Sequence, residues 1–434
     1  MHLLYSFCFT VGFILALPYF LYQGLFHKKY FAGIGQRFGF IPKELTRQPG
    51  GSIWVHAVSV GEFLAILPLL KALKQEWPDK ALVVTTTTLT GQKLAQEKLA
   101  SSANVFYFPL DWKFAVRRCL RLVRPSMVLI VETEIWPNFL RTCRLAGIPV
   151  LLINGRLSDK SIASYRKITW FMKPILKDFG FCLMQTPEDR HRLISLGAPL
   201  EKVGVVGNIK YDLQAPENIE KISDSYRQLF GLNSGHFVVV AGSTMDGEEE
   251  IVLTAFGKLN ETFPASKLIL APRHPHRVRE VEGIIASFGF PFKKRTEFTS
   301  NAGTEVDCAI ILLDTMGELS ALYHVADAVF VGGSLVPRGG HNIMEPALFE
   351  KPILFGPHMN NFREIATYFV DRQAALLVPD SAGLADRLIE LAQDPALRKQ
   401  LGLRAGEILA QNRGATRKIL DHVRNCQTTA HGES

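Results

Sequence analysis

Acidic side chains recur where a short apolar run gives way to a helical pattern, and those are the positions where chemistry is first sought. In WVHAVSVGE, Gly61 permits a tight turn and Glu62 falls in the first turn of the helix that follows. A carboxylate there complements the helix dipole, an interaction of about 0.3–1 kcal/mol. Kept ionised by the helix terminus, it is also in the form a general base requires. The terminus should lower its pKa, so strong basicity would need desolvation. Position alone leaves both roles open. VETEIWPN sets Glu132 and Glu134 at the end of another apolar run, where either could instead cap the next helix. Lys210 is the only cation of GNIKYD, and taken singly it reads as a solvated surface charge.

The second half of the chain carries loops suited to an anion and an attached nucleoside. AGSTMDGEEE offers Gly242 and Ser243 before a helix that opens with acids. LAPRHPHR sets Arg273 and His274 directly after an apolar run, where a guanidinium can fork onto phosphate oxygens. The spacing of His274 and His276 could suggest a metal, but no Cys, His or Asp cluster accompanies it, so no metal site is expected. DTMGEL again joins a strand end to a helix start. GGSLVPRGGHNIMEP is the strongest local signal. Gly332, Gly333, Gly339 and Gly340 would let the backbone approach a ligand, Asn342 would cap the next helix, and Glu345 would complete a capping box. The plainer alternative is a glycine-rich turn that merely starts a helix. Neither GxGxxG before a helix nor a GxxxxGKS/T sequence occurs, which disfavours a dinucleotide site and a P-loop.

The elements that must position these residues alternate regularly. Apolar runs at 52–59, 81–87, 105–109, 127–132, 149–154, 179–185 and 203–207 read as strands with helical stretches between most of them. Phe63, Ile66, Leu67, Leu70 and Leu73 predict one helix after the first. A polar stretch from about Tyr211 to Ser225 follows, and the alternation restarts at 236–243, 267–272, 308–314, 328–333, 352–357 and 374–379. Such continuous apolar strands are covered by helices on both faces, as in parallel sheets. The expectation is an α/β protein of two doubly wound domains facing each other. Ligands would then bind in the crevice between them, beyond the strands' carboxyl ends. The boundaries read from the sequence are 1–26 for an anchor, 27–215 for a first Rossmann-like domain and 216–434 for a second.

With 434 residues, 47% hydrophobic and 21% charged, the chain has material for large cores, which excludes a disordered tail protein. Its six scattered cysteines form no CxxC pair, against a disulfide framework or zinc finger and for a reducing compartment. Half of the net charge of +8 lies in the first fifty residues, where Lys28, Lys29, Arg37, Lys43 and Arg47 face only Glu44. Before them Leu3 to Tyr22 carries no charge, and about 20 residues cover the roughly 30 Å core of a bilayer. Lys28, Lys29 and Arg37 behind that run put the bulk of the chain on the cytoplasmic side. A cleaved signal peptide would need a basic start and a small-residue cleavage site, and neither is present. Pro18, Phe20, Tyr22 and Phe26 leave an interfacial helix open beside a true span, and a buried core helix is the third possibility.

In order along the chain, WVHAVSVGE, VETEIWPN, GNIKYD, PRHPHR, DTMGEL and VGGSLVPRGGHNIMEPA resemble the 3-deoxy-D-manno-octulosonic acid (Kdo) transferases of Gram-negative lipopolysaccharide synthesis. The resemblance covers nearly the whole chain. It implies the GT-B architecture and transfer of Kdo from CMP-Kdo to a lipid A precursor (lipid IVA), with the catalytic domains on the cytoplasmic face of the inner membrane. It implies Glu62 as proton acceptor and Glu132 and Lys210 as transition-state stabilisers. It also implies CMP contacts at Pro272, Arg273, Met316, Gly317, Glu318, Asn342, Ile343, Met344 and Glu345. No cofactor, metal or nucleic acid is implied. Met245 departs from the family pattern, where histidine is more familiar. The chemistry agrees: an oxocarbenium-like state needs a base for the acceptor hydroxyl and cations for the departing phosphate. One base suffices for a single displacement, so inversion at the anomeric carbon is expected. Two other classes stay open: an epimerase or UDP-sugar transferase on the same scaffold, and a non-catalytic tethered protein that binds a sugar nucleotide or lipid.

Overall fold

The computed structural model describes residues 2–27, 33–42, 51–100, 102–298 and 308–431. Lys28, Lys29, Lys43, Glu44 and Arg47 lie outside the described residues. The chain forms two compact units, 1–212 together with 412–434, and 213–411.

Unit 1 is built on β1 (Ser52–His56), β2 (Ala81–Thr86), β3 (Asn104–Tyr107), β4 (Pro125–Val131), β5 (Val150–Gly155), β6 (Phe181–Met184) and β7 (Val203–Val205). They form one seven-stranded sheet in the order β3-β2-β1-β4-β5-β6-β7, parallel throughout. Alternate side chains of one strand enter opposite cores. Val128 and Ile130 of β4 pack with Trp54, Phe106 and Phe139, while Met127, Leu129 and Val131 pack with Phe63, Leu70 and Ile419. Both faces are therefore apolar, which is why these strands read as unbroken hydrophobic runs.

Unit 2 repeats the plan with β8 (Phe237–Thr244), β9 (Ser266–Pro272), β10 (Phe292–Lys294), β11 (Ile310–Leu312), β12 (Ala328–Val331), β13 (Ile353–Phe355) and β14 (Leu376–Leu377). Its order is β10-β11-β9-β8-β12-β13-β14, again all parallel. In each sheet the order reverses beside the first strand, between β1 and β4 and between β8 and β12. Beyond the carboxyl ends of such neighbours lies the site where open α/β sheets bind ligands.

Every strand read from the sequence is present. The one missed, β10, is an edge strand whose Lys293 and Lys294 hide it from an apolar pattern, as suits an edge. The single helix expected after β1 is two, Val60–Ala65 and Leu67–Glu76. Pro68 offers no N–H and its ring would meet the carbonyl of residue 64, so the chain restarts at Leu67. The polar stretch expected to run to Ser225 is already helical at Ile219–Leu229.

The chain end differs most from the expected boundaries. Residues 412–434 cluster with unit 1 although the sequence assigns them to the second domain. The helix Ala415–His431 buries Ala415, Ile419 and Val423 against unit 1. Its amino end is held by Asp212, whose carboxylate accepts N–H bonds from Gly414 (2.6 Å) and Thr416. An amphipathic pattern tells that a helix buries a face, not which sheet receives it.

The amino-terminal helix, His2–His27, lies against unit 1 along one face. Ser6 exchanges hydrogen bonds with the Asn138 side chain at 3.0–3.1 Å. The Trp112 indole donates to Thr10 Oγ1 at 3.0 Å, and Phe9 and Phe13 meet the Trp112 ring edge-on. On the opposite face Leu3 and Leu15 are 79% and 76% exposed, so this is not a buried core helix. Among the described residues it is the one helix long and apolar enough to cross a membrane. Arg37, one of the cations behind the apolar run, is folded into unit 1. It donates to the Thr87 carbonyl at 2.7 Å and covers the Tyr107 ring.

Candidate active site

The two strands that flank the reversal in unit 1 each deliver an acid. Beyond β1, Ser59 caps the helix Val60–Ala65 by accepting the Glu62 N–H. Glu62 turns back on the same corner: its Oε2 accepts the Val58 N–H at 2.8 Å and its Oε1 accepts the Ser59 hydroxyl at 2.9 Å. The carboxylate is half-buried, and burial raises its pKa above the usual carboxylate range. The Val58 hydrogen bond opposes that shift, the Glu132 charge adds to it, and the Ser59 hydroxyl and Lys210 oppose it. The lowered pKa expected from the helix terminus is thus overturned, because desolvation outweighs the capping bonds.

Beyond β4, Glu132 adopts φ +57°, in the left-handed region that costs a non-glycine residue about 1 kcal/mol or more. Its Oε1 lies 4.0 Å from Lys210 Nζ, and both side chains are about three-quarters buried. Lys210 is therefore not the solvated charge its local sequence suggests. Its place is set through β5. Asn154, buried at φ +54°, accepts the Ile209 N–H at 3.0 Å and so anchors the turn Ile209–Tyr211. Glu134 stands close enough to feel both neighbours: burial, then the Glu62 and Glu132 charges, push its pKa up to about 7. Neither glutamate caps the helix Pro137–Leu145. Asp111 does, accepting the N–H groups of Asn138 (2.9 Å) and Phe139 (2.7 Å). Burial drives the Asp111 pKa to about 7 against those bonds.

In unit 2 the reversal lies between β8 and β12, with β9 alongside β8. Pro272 ends β9, and the Arg273 N–H reaches the Thr244 carbonyl at 2.9 Å while its side chain is exposed. Arg273 lies near Glu345 and His341. Burial raises the Glu345 pKa, with the Asn342 hydrogen bond and then the Arg273 charge pulling it down. Burial also drives His341 down to about 4, helped by Arg273 and His274. Asn342 does not form the expected capping box. Its Oδ1 accepts the Met344 N–H at 3.1 Å and its Nδ2 donates to Glu345 Oε1 at 3.2 Å, ahead of the one-turn helix Met344–Ala347. Ile343 and Met344, at the start of that helix, are buried. Beyond β11, Met316 is 67% exposed, Gly317 turns at φ +86°, and Glu318 is held by Arg295 at 2.8 Å.

The glycines expected to admit a ligand admit protein instead. A Cβ on Gly332 would sit 2.5 Å from the Ser243 carbonyl oxygen, and one on Gly333 3.0 Å from the His341 ring. Gly332 lets the ends of β8 and β12 close on each other, and Gly333 lets the His341 ring pack against the loop that follows β12.

Residues 32–213 match the family described as 3-Deoxy-D-manno-octulosonic-acid transferase (kdotransferase). The 3-deoxy-D-manno-octulosonic acid transferase of Haemophilus influenzae is 36% identical over 91% of this chain and 91% of its own. The chain belongs to the 3-deoxy-D-manno-octulosonic acid transferase family. The enzyme of that name from Bordetella pertussis is 31% identical over 89% of this chain and 90% of its own. The fold is shared more widely. UDP-GlcNAc 2-epimerase from Neisseria meningitidis superposes with a TM-score of 0.56 at 13% identity, over 86% of this chain and all of that one. Membership makes the chain a glycosyltransferase of GT-B type that handles Kdo in lipopolysaccharide synthesis.

Within this transferase fold, Glu62, Glu132 and Lys210 come together in unit 1, and Arg273 comes together with Glu345 in unit 2. The sequence reading missed Asp111, Asn154 and Glu248 as organisers. Asp111 follows β3 in FPLDWK and Asn154 ends PVLLIN, so a polar residue closing an apolar run was the available signal. Met245, the departure from the family pattern, contributes its backbone N–H, which it donates to Glu248 at 2.9 Å.

Proposed function

We propose that this transferase moves Kdo from CMP-Kdo to a lipid A precursor (lipid IVA), without a metal and with inversion at the anomeric carbon. The observation that carries the reading is the pairing at the β1/β4 reversal: a desolvated Glu62 beside a Glu132–Lys210 pair. Glu62 takes the proton of the acceptor hydroxyl as its oxygen bonds to the anomeric carbon. The bond from that carbon to the phosphate oxygen breaks, and its electron pair leaves with CMP. Each carboxylate oxygen has lone pairs to spare beyond the bonds from Val58 and Ser59, so the base can still accept. Its raised pKa makes it a stronger base than an ordinary carboxylate. Glu132 and Lys210 stabilise the charge that develops in the transition state.

Unit 2 holds the donor. Pro272 and Arg273 take the phosphate end, Glu345 with Asn342 the ribose hydroxyls, and the turn Met316, Gly317 and Glu318 the base. Ile343 and Met344 seat that segment in the core. Glu318 and Glu345 are already hydrogen-bonded within the protein, which fixes their orientation before the donor arrives. The exposed face of the amino-terminal helix anchors the enzyme to the inner membrane, with both units on the cytoplasmic side, where an acceptor confined to the bilayer can be met.

Incubating the full chain with CMP-Kdo and tetraacylated lipid A precursor tests the reading. A product heavier by whole Kdo residues, linked as the anomer opposite to the donor's, is the expected result. An unmodified acceptor, retention of configuration, or transfer abolished by chelators would contradict it.

A further inference from the structure

Glu248 and Glu249, at the amino end of the helix Glu249–Thr262, are both fully buried. Glu248 accepts N–H groups from Gly333 (2.5 Å), Ser334 and Leu335 (2.8 Å each), all beyond β12, and from Met245 (2.9 Å) beyond β8. Ser334 passes the connection on, donating to the Val331 carbonyl and accepting the Gly356 N–H at 2.9 Å beyond β13. Gly333 in turn accepts the Gly340 N–H at 2.7 Å, just before His341 to Glu345. Glu249 faces the other way. It accepts the Thr244 hydroxyl at 2.9 Å and Arg277 Nη1 at 2.7 Å, and Arg277 donates its backbone N–H to the His274 carbonyl, closing the turn after Arg273.

We propose that Glu248 and Glu249 are positioning residues for the sugar-nucleotide donor, one setting the loop that leads to Glu345 and the other the loop that carries Arg273. This rests on the reading of those loops as the donor site. A buried carboxylate is stable only with its hydrogen-bond partners in place, so each acid ties its loop to a narrow set of positions. Adjacent in sequence on one rigid helix end, they fix the two loops relative to each other. Binding then requires less ordering of the loops.

Glu248→Gln puts an amide N–H2 opposite backbone N–H donors, and Glu249→Gln weakens the fork to Arg277. In the full-length enzyme we expect Glu248→Gln to weaken CMP binding, read by titration calorimetry, by about tenfold or more. The KM for CMP-Kdo rises in parallel, while the acceptor KM and the rate at saturating donor change little. Amide hydrogen exchange at residues 333–335 quickens, and Glu249→Gln shows a smaller shift of the same kind at residues 273–277. Glu250→Gln, on the exposed face of the same helix, leaves all of these at wild-type values. Unchanged CMP affinity despite faster exchange at 333–335 overturns the proposal, as does an equal rise in donor and acceptor KM. If Glu248→Gln does not fold, Glu249→Gln decides by the same criteria. Arg273→Ala separates the two levels: if it too leaves CMP affinity unchanged, the donor-site reading falls, and the positioning role with it.

Discussion

The two sheets share an architecture and both place glutamates beyond the strands at the reversal, yet they use them in opposite ways. At β1/β4 the acids stay only partly buried: Glu62 and Glu134 are raised by burial and like charge, and Glu132 sits on a left-handed backbone with one lysine 4.0 Å away. In unit 2, Glu248 and Glu249, which follow β8, are fully buried and hydrogen-bonded to several donors, while the Arg273 guanidinium stays exposed. An acid that keeps spare lone pairs and a raised pKa can move a proton. One whose lone pairs are filled by N–H groups can only hold a loop.

That contrast can be broken or sharpened by substitution, and after Glu62 itself the largest effect is expected at Lys210. Lys210→Ala should cut the transfer rate about a hundredfold or more at unchanged CMP affinity, by steady-state kinetics and calorimetry, since it removes the cation beside Glu132. A loss of activity confined to a rise in the donor KM would move Lys210 out of the unit 1 chemistry. Arg273→Ala should do the reverse, raising the CMP-Kdo KM about ten- to a hundredfold with a smaller effect on the saturated rate.

Stability effects rank below these. Asp111→Ala strips a helix end of the acceptor for two N–H groups and should cost about 1–3 kcal/mol in denaturant unfolding. A loss within experimental error would mean water replaces the cap. The smallest effect is expected at Glu134. Its pKa in the folded chain is about 7 against an ordinary 4.5, so the fold binds that proton more tightly than the unfolded chain does. The stability this confers is complete below about pH 4.5 and is lost as pH rises through 7. Glu134→Gln should therefore gain about 1 kcal/mol on wild type between pH 5 and pH 8, a figure reduced for partial exposure. Parallel stability profiles would place Glu134 in solvent.

The sheets were legible because burial on both faces writes itself as unbroken apolar runs, as in β1, β4 and β8. Motif positions were legible because strand ends punctuate those runs. What escaped was anything decided by tertiary partners. Glu248 and Glu249 look like ordinary helix-opening acids until Gly333 and Arg277 are seen against them. Lys210 looks solvated until Asn154 draws its turn toward Glu132. Gly332 and Gly333 look like room for a ligand until Ser243 and His341 fill that room. The sign of the Glu62 shift escaped for the same reason: a helix terminus is visible in sequence, and desolvation is not.

The central claim is that Glu62 moves the acceptor proton and does nothing for the donor. Glu62→Gln keeps the size of the side chain and its carbonyl acceptor while removing the basic oxygen. Measured side by side in that variant, transfer from CMP-Kdo should fall by about 10²–10⁴ while CMP affinity stays at the wild-type value. Transfer at the wild-type rate, or a loss of CMP binding that matches the loss of transfer, would contradict it.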